Sequence, residues 1–196
     1  MLAVVLVQGS GTMCNESVIG SAVPRDGGKL LVMSNGAYGV RLGKIATTCG
    51  IETVVHETLE DTTPPLKAVT TLLDEAAAAG SPFTTMAIVH HETTSGILNP
   101  VQEISLAAKD RGCTTILDAM SSFGGIPIDL EACGIDFLVT IAPNISLGAN
   151  CGYSGTTASN FGKSAFSANT GLVGTEDVKT GSFENLTLGI GLKIEF

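Results

Sequence analysis

Basic residues are scarce in this chain, and long apolar runs are absent from it. Ten Lys and Arg face 19 Asp and Glu, which gives a net charge of -9. Phosphate backbones require a basic face, so we expect no nucleic-acid partner. No apolar run approaches the roughly 20 residues of a membrane helix. Residues 1–7 are apolar but lack a basic flank, which favours a buried strand over a signal peptide and predicts a cytoplasmic protein without membrane contact.

The cysteine pattern gives no disulfide framework. The chain has 5 Cys, an odd number, and no CxxC. Reduced thiols are the expectation for such scattered positions. His90 and His91 are adjacent, but neighbouring strand residues point to opposite faces and no third ligand is suitably spaced. We therefore predict no metal site.

Short apolar segments alternate with helical stretches along most of the chain. The composition is 44% hydrophobic and 15% charged, with 24 Gly. Predicted strands cover residues 3–7, 29–33, 51–55, 85–90, 114–118 and 136–141, and predicted helices follow at 13–22, 38–49, 66–79 and 101–111. This alternation predicts an α/β fold, with a mostly parallel sheet and helices on both faces. In such sheets ligands bind at the carboxyl ends of the strands.

The composition changes near Asn150. Residues 151–182 are rich in Gly, Ser and Thr. Residues 186–196 then alternate, with leucine, isoleucine and a final phenylalanine in one phase, which predicts a strand with one apolar face. We expect a domain over residues 1–149 and an atypical tail over 150–196. A frameshift or fusion near residue 143 would account for that tail.

Two loops carry candidate chemistry. Gly9-Ser10-Gly11-Thr12 lies between a predicted strand and helix, where free N–H groups suit a phosphate; a tight structural turn is the alternative. Asp118 ends a predicted strand, where a carboxylate can hold a protonated heterocyclic nitrogen. For Asp118 the alternative is a cap or turn residue.

Four motifs occur in order: VQGSGT at 7–12, SNGAYG at 34–39, HHETTSGILNP at 90–100 and DAMSSFGGIPIDL at 118–130. Together they resemble the large domain of the class V (fold type I) aminotransferases, which depend on pyridoxal 5'-phosphate (PLP). The resemblance covers residues 3 to about 149. It implies the cofactor PLP, small-molecule amine and keto-acid substrates, and a homodimer. Within the family it is strongest to enzymes that move an amino group from 2-aminoethylphosphonate to pyruvate, giving phosphonoacetaldehyde and alanine.

The resemblance also implies roles for particular residues. Ser10, Gly11 and Thr12 would hold the PLP phosphate.

Four more residues would surround the PLP ring. Tyr38 would stack on the pyridine, Thr93 would bind near the ring hydroxyl, Asp118 would pair with the ring nitrogen, and Met120 would pack beside it. Without the resemblance, Tyr38 would be interpreted as a core aromatic at a helix start.

The match breaks at the Schiff-base lysine of the family. Ala142 and Gly148 keep the register, which puts Asn144 at the lysine position. An amide is neither a usable nucleophile nor a base, so no catalytic residue is assigned and activity is expected to be impaired. Lys163 is the nearest downstream lysine. The alternative is a non-catalytic remnant or a PLP-binding and interaction module.

Two further parts of the family are not found. They are an N-terminal active-site loop and a small domain that carries an arginine for the substrate carboxylate. The only arginines are Arg25, Arg41 and Arg111, and none lies in a segment that corresponds to the small domain.

Overall fold

A computed structural model describes residues 3–5, 7, 9–141, 145–153, 165–167, 171–173 and 186–194, with side chains up to residue 141. The chain divides into two compact units, Met1–Ile141 and Ala142–Phe196. The predicted boundary near residue 150 and the proposed fusion remain predictions.

The first unit alternates strands and helices. Its helices are α1 (Gly11–Ala22), α2 (Ala37–Thr48), α3 (Leu66–Ala78) and α4 (Val101–Lys109). Its strands are β1 (Lys29–Ser34), β2 (Glu52–Glu57), β3 (Thr85–Val89), β4 (His91–Glu92), β5 (Ile97–Leu98), β6 (Thr114–Asp118) and β7 (Phe137–Val139). The predicted elements from residue 13 onward are found within a few residues. The short β4–β5 hairpin was not predicted.

Five strands form one parallel sheet in the order β2-β1-β3-β6-β7. β1 pairs with both β2 and β3, so the chain crosses over the sheet between them, as parallel strands require. The carboxyl ends of these strands consequently meet at one edge, where the polar loops follow.

Helices cover both faces of this sheet. On one face Leu31 and Met33 of β1 pack in a core with α3 and α4, whereas on the other Leu30 and Val32 pack with α1 and α2. Alternate residues of one strand therefore serve opposite cores, and β1 is buried on both faces. The predicted α/β class, with helices on both faces, is confirmed.

The predicted strand at residues 3–7 is wrong for the residues described there. Residues 3–5 and 7 form no strand, and Val4 and Val5 are 60% and 81% exposed. A strand is stable only when a neighbour satisfies its backbone groups. Neither edge strand of the five-stranded sheet pairs with this segment.

The second unit contains antiparallel strands. β8 (Ile145–Tyr153) pairs with β11 (Leu186–Ile194) over its full length, and β9 (Ala165–Ser167) pairs with β10 (Gly171–Val173). The strand predicted at 186–196 is confirmed over 186–194, and its last two residues lie outside the described part. Across all described residues, no helix has the length and apolar character needed to cross a membrane.

Candidate ligand-binding site

A cavity of about 320 Å³ opens at the carboxyl edge of the sheet. Its walls come from the first turns of α1 and α2 and from the segments that follow β3, β6 and β7. The lining residues are Gly11, Thr12, Tyr38, Arg41, Val89, His91, Thr93, Asp118, Met120, Ser121 and Ile141. Loops 80 or more residues apart in sequence thus share one cavity, because parallel strands deliver their carboxyl ends to the same edge.

Six of the seven residues predicted to hold a cofactor line this cavity. The seventh, Ser10, is the N-cap of α1, and its Oγ accepts from the Met13 N–H at 3.3 Å. An accepting hydroxyl keeps its own proton to donate. The structure brings the predicted set together, and the part of each residue in cofactor binding remains a prediction.

The first turn of α1 faces the cavity through Gly11 and Thr12. In the described part of the chain no group accepts a hydrogen bond from either backbone N–H. A Cβ at Gly11 would overlap the ends of the Met120 and Ile141 side chains, which would both have to shift to accommodate it. Free N–H groups and the positive end of the helix dipole suit an anion here.

Asp118 lies at the end of β6 and is only 4% exposed. Its Oδ2 accepts from Asn15 Nδ2 at 2.7 Å, and its Oδ1 accepts from the Met120 N–H at 3.0 Å. The second contact is the turn role considered above, so the turn and site interpretations are compatible. Burial raises the pKa of Asp118, the two hydrogen bonds oppose this rise, and the charge of Glu92 adds to it.

The surroundings of Asp118 fit a positively charged ring nitrogen. Within residues 9–141 no Lys, Arg or His forms an ion pair with this carboxylate. A buried carboxylate with only neutral partners is under-compensated. Beside it, Asn15 Oδ1 is buried and has no hydrogen-bond partner in this region. A protonated pyridine nitrogen in the cavity would supply the missing positive charge and donate its one hydrogen bond to the Asp118 carboxylate.

Tyr38 occupies the first turn of α2 and is 38% exposed on the cavity wall. The alternative interpretation of Tyr38 as a core aromatic is therefore wrong. The Arg41 guanidinium lies over the Tyr38 ring, with its central carbon 5.6 Å from the ring centroid. Tyr38 thus presents an aromatic surface to the cavity, with a cation beside it.

Glu92 caps α2 from another part of the chain. The N-cap position of α2 is Gly36, which has no side chain to accept from the first N–H groups. The buried Glu92 carboxylate accepts instead from the backbone N–H groups of Tyr38, at 3.2 Å, and Gly39, at 3.3 Å. Thr94 Oγ1 donates to it at 3.0 Å. This carboxylate holds the segment that carries Tyr38.

Two Ser–His contacts join the loops after β3 and β6. His90 Nδ1 lies 2.9 Å from Ser122 Oγ, and His91 Nδ1 lies 3.3 Å from Ser121 Oγ. Ser121 Oγ also donates to the His91 carbonyl at 2.6 Å, which commits its only proton. His91 Nδ1 must then carry a hydrogen and donate it to Ser121 Oγ.

His90 is the buried member of the pair. Burial lowers the pKa of His90, with a smaller effect from the charge of neighbouring His91. A neutral His90 locked to Ser122 fixes the loop that follows Asp118. His90 is therefore structural, whereas His91 lines the cavity.

The residues of the HHETTSGILNP motif that follow His91 divide in the same way. Thr93 lines the cavity, whereas Asn99 is 3% exposed and exchanges hydrogen bonds with Asn35. Pro100 is the N-cap of α4, which begins at Val101 in agreement with the helix predicted at 101–111.

Sequence reasoning missed five cavity residues: Val89, His91, Ser121, Ile141 and, most notably, Arg41. The i, i+3 spacing from Tyr38 to Arg41 on a predicted helix was the one signal available for the arginine. Asn144 and Lys163 lie outside the described residues.

The sequence was compared with known families and curated proteins. The family model "Aminotransferase class-V" matches residues 2–147. The 2-aminoethylphosphonate–pyruvate transaminase of Vibrio vulnificus (strain YJ016) is 49% identical over 138 residues, which are 70% of this chain and 36% of that protein. The enzyme of the same name from Syntrophobacter fumaroxidans is 46% identical over the same number of residues. The chain spans little more than a third of these relatives' length.

Solved structures give the same answer for the fold. Alanine–glyoxylate aminotransferase from Nostoc sp. superposes with a TM-score of 0.63 and 28% identity, covering 69% of this chain and 34% of that one. Pyridoxamine–pyruvate aminotransferase from Mesorhizobium loti gives a TM-score of 0.60 at 28% identity, covering 68% and 33%.

Proposed function

The chain belongs to the class V aminotransferase family, and on this premise we propose that its cavity binds PLP, the cofactor of that family. The single observation that carries the proposal is Asp118, a buried carboxylate on the cavity wall with no cationic partner among residues 9–141. A structural aspartate at such a depth would be paired.

The cavity residues have separate tasks in this proposal. Gly11 and Thr12 bind the phosphate with their backbone N–H groups, and Ser10 and Thr12 add hydroxyl donors. Asp118 holds the ring nitrogen in its protonated form. When bound, PLP supplies an electron sink for negative charge that develops on the amine substrate.

Other residues orient the ring. Tyr38 stacks on one face, and Met120 packs beside it. Thr93 donates near the ring hydroxyl, while Glu92 and Ser122 hold the loops from behind without lining the cavity. The residues that orient the ring lie at the starts of helices and the ends of strands. Their positions are therefore fixed before a ligand binds.

The substrates we propose are 2-aminoethylphosphonate as amino donor and pyruvate as acceptor, giving phosphonoacetaldehyde and alanine. The support is the name shared by the relatives that are 46% to 49% identical. A homodimer in the cytoplasm is the corresponding assembly, and light scattering of the purified chain measures the dimer directly.

Turnover is impaired in this proposal, because Asn144 occupies the position of the family's lysine. An amide neither attacks the cofactor's carbonyl nor carries a proton at neutral pH. The second candidate function, a PLP-binding module without turnover, is favoured by this same substitution.

Equilibrium dialysis against PLP, followed by an alanine assay with both substrates, tests the proposal. We expect PLP to bind, and pyridoxal, which lacks the phosphate, to bind at least tenfold more weakly. Alanine formation should be many powers of ten slower than that of a full-length family member. Absence of PLP binding would contradict the cofactor proposal, and rapid alanine formation would contradict the impairment.

A further inference from the structure

The three arginines of this chain have different surroundings. Arg111 forms two hydrogen bonds with Asp74, from Nε at 2.6 Å and from Nη2 at 3.0 Å. Arg25 is exposed in the turn after α1 and does not line the cavity. Arg41 lines the cavity and has no carboxylate partner among residues 9–141.

Arg41 is exposed, and among residues 9–141 its guanidinium contacts an aromatic ring instead of forming an ion pair. Its guanidinium lies over the Tyr38 ring, three residues earlier on α2, and Glu92 secures that first turn of the helix. The Glu92 oxygens are engaged by two backbone N–H groups and by Thr94. A stacked guanidinium keeps its N–H fork free for an anion in the plane of the group.

The cofactor's own anchors are accounted for without Arg41. The phosphate has the first turn of α1, the ring nitrogen has Asp118, and the ring face has Tyr38. A cation beside the aromatic surface is left over, in a chain whose net charge is -9. The negative net charge of the chain repels anionic ligands. A cation at the cavity offsets this repulsion locally and attracts an anion to the cavity.

We propose that Arg41 is the subsite for the acidic group of the substrate, a phosphonate or a carboxylate carried by the reacting amine or keto acid. The identity of that substrate rests on the proposed function, whereas anion binding at Arg41 does not. This subsite lies in the first unit, on α2.

Methylphosphonate is the probe, because it carries the anion without an amine or a carbonyl. Its affinity is measured by ³¹P NMR titration of the purified chain, alone and with excess PLP. Arg41→Gln should weaken binding about tenfold and Arg41→Lys less, since lysine keeps the charge but loses the fork. Arg25→Gln is the matched control and should change nothing. Circular dichroism establishes that each variant is folded.

A second titration separates the substrate's anion from the cofactor's phosphate. Arg41→Gln should leave PLP affinity within about twofold of the parent chain. Unchanged methylphosphonate affinity in Arg41→Gln would overturn the proposal. A loss of PLP affinity without a loss of pyridoxal affinity would also overturn it, because Arg41 would then serve the cofactor's phosphate. If PLP fails to bind and methylphosphonate still depends on Arg41, the subsite stands and the proposed function falls.

Discussion

Among the described residues near the carboxyl edge of the sheet, one pair of buried polar side chains is closed and another is open. Asn35 and Asn99 exchange hydrogen bonds at 2.9 and 3.0 Å, and their remaining amide protons go to the carbonyls of Thr62 and Val89. Asp118 and Asn15 share one bond of 2.7 Å, which leaves Asn15 Oδ1 unpartnered within residues 9–141.

This difference between the two pairs distinguishes a structural role from a role in ligand binding. A closed pair satisfies itself and holds two loops together, so it has nothing to offer a ligand. An open pair carries an uncompensated cost that a ligand can remove, and such groups concentrate at functional sites. The closed pair should therefore control stability, and the open pair should control binding.

The largest effect on stability is expected from the closed pair. Asn99→Ala removes partners from Asn35 and from the Val89 carbonyl, and leaves buried groups unsatisfied. We expect a loss of about 3 kcal/mol in the free energy of unfolding. Urea titration measures this loss, and PLP affinity of the folded fraction should be unchanged. A loss below about 1 kcal/mol in the free energy of unfolding would show that the Asn35–Asn99 pair contributes little to the stability of the fold.

The largest effect on binding is expected from Asp118→Asn. The variant keeps the shape of the side chain but loses the charge that holds a protonated ring nitrogen. PLP affinity should fall about thirtyfold, by analogy with other charged hydrogen bonds. Without PLP the variant should be at least as stable as the parent at pH 7.5. Equal PLP affinity in the two chains would refute the role of Asp118.

The pH dependence of the same variant has a definite sign. Because the pKa of Asp118 is raised by burial, the folded chain holds this proton more tightly than the unfolded chain. Its contribution to stability is complete below the unfolded pKa of about 3.9 and is lost as pH rises through the folded pKa. The Asp118→Asn variant has no carboxyl group at this position and does not lose this stability. Its free energy of unfolding relative to that of the parent, measured by urea titration, should therefore increase as pH rises from about 3.9 through the folded pKa.

The sequence predicted the local features of this fold well. Strand and helix order follows from periodicities within single segments, as at residues 29–33 and 114–118. The strand predicted at residues 3–7 was wrong because a strand requires a neighbouring strand to pair with. The apolar character of a segment does not show whether such a strand is available. The candidate site was predicted where residues follow a motif, as at Gly11 and Asp118.

The remaining site residues depend on contacts between distant segments. Asn15 lies 103 residues from its partner Asp118, and Glu92 caps a helix 54 residues earlier. No local pattern encodes either contact. The family resemblance puts the substrate arginine in a small domain and assigns no role to Arg41, and only the fold brings Arg41 to the cavity.

A smaller effect is expected from Asn15→Ala. Loss of the Asn15 amide removes one of two hydrogen bonds that favour ionised Asp118, so PLP affinity should fall a few-fold and the pKa of Asp118 should rise further. Ser105→Ala is the matched control, because its Oγ is also buried without a hydrogen-bond partner among residues 9–141 but, unlike Asn15, it forms no hydrogen bond with Asp118. Dialysis against PLP should show no change in that control. A similar loss in both variants would mean that burial alone was being measured.

The smallest effect is expected from Ser121→Ala, on His91. Without the Ser121 hydroxyl, the Nδ1–H form of His91 loses its acceptor, so the two neutral tautomers should mix. Stability should change by less than about 0.5 kcal/mol, as for other partly exposed sites. The ¹⁵N chemical shifts of the His91 ring report the tautomer directly. A pure Nε2–H form in the parent chain would contradict the assigned hydrogen-bond pattern.

Borohydride reduction of the PLP-loaded chain decides whether the cavity binds PLP without a covalent lysine. Excess PLP is removed, the visible spectrum is recorded, borohydride is added, and the intact mass and a peptide map are measured. We expect retained PLP and no stoichiometric adduct on any single lysine. A stoichiometric adduct at one lysine, such as Lys163, would contradict this expectation and show that another amine has taken over from the residue at position 144.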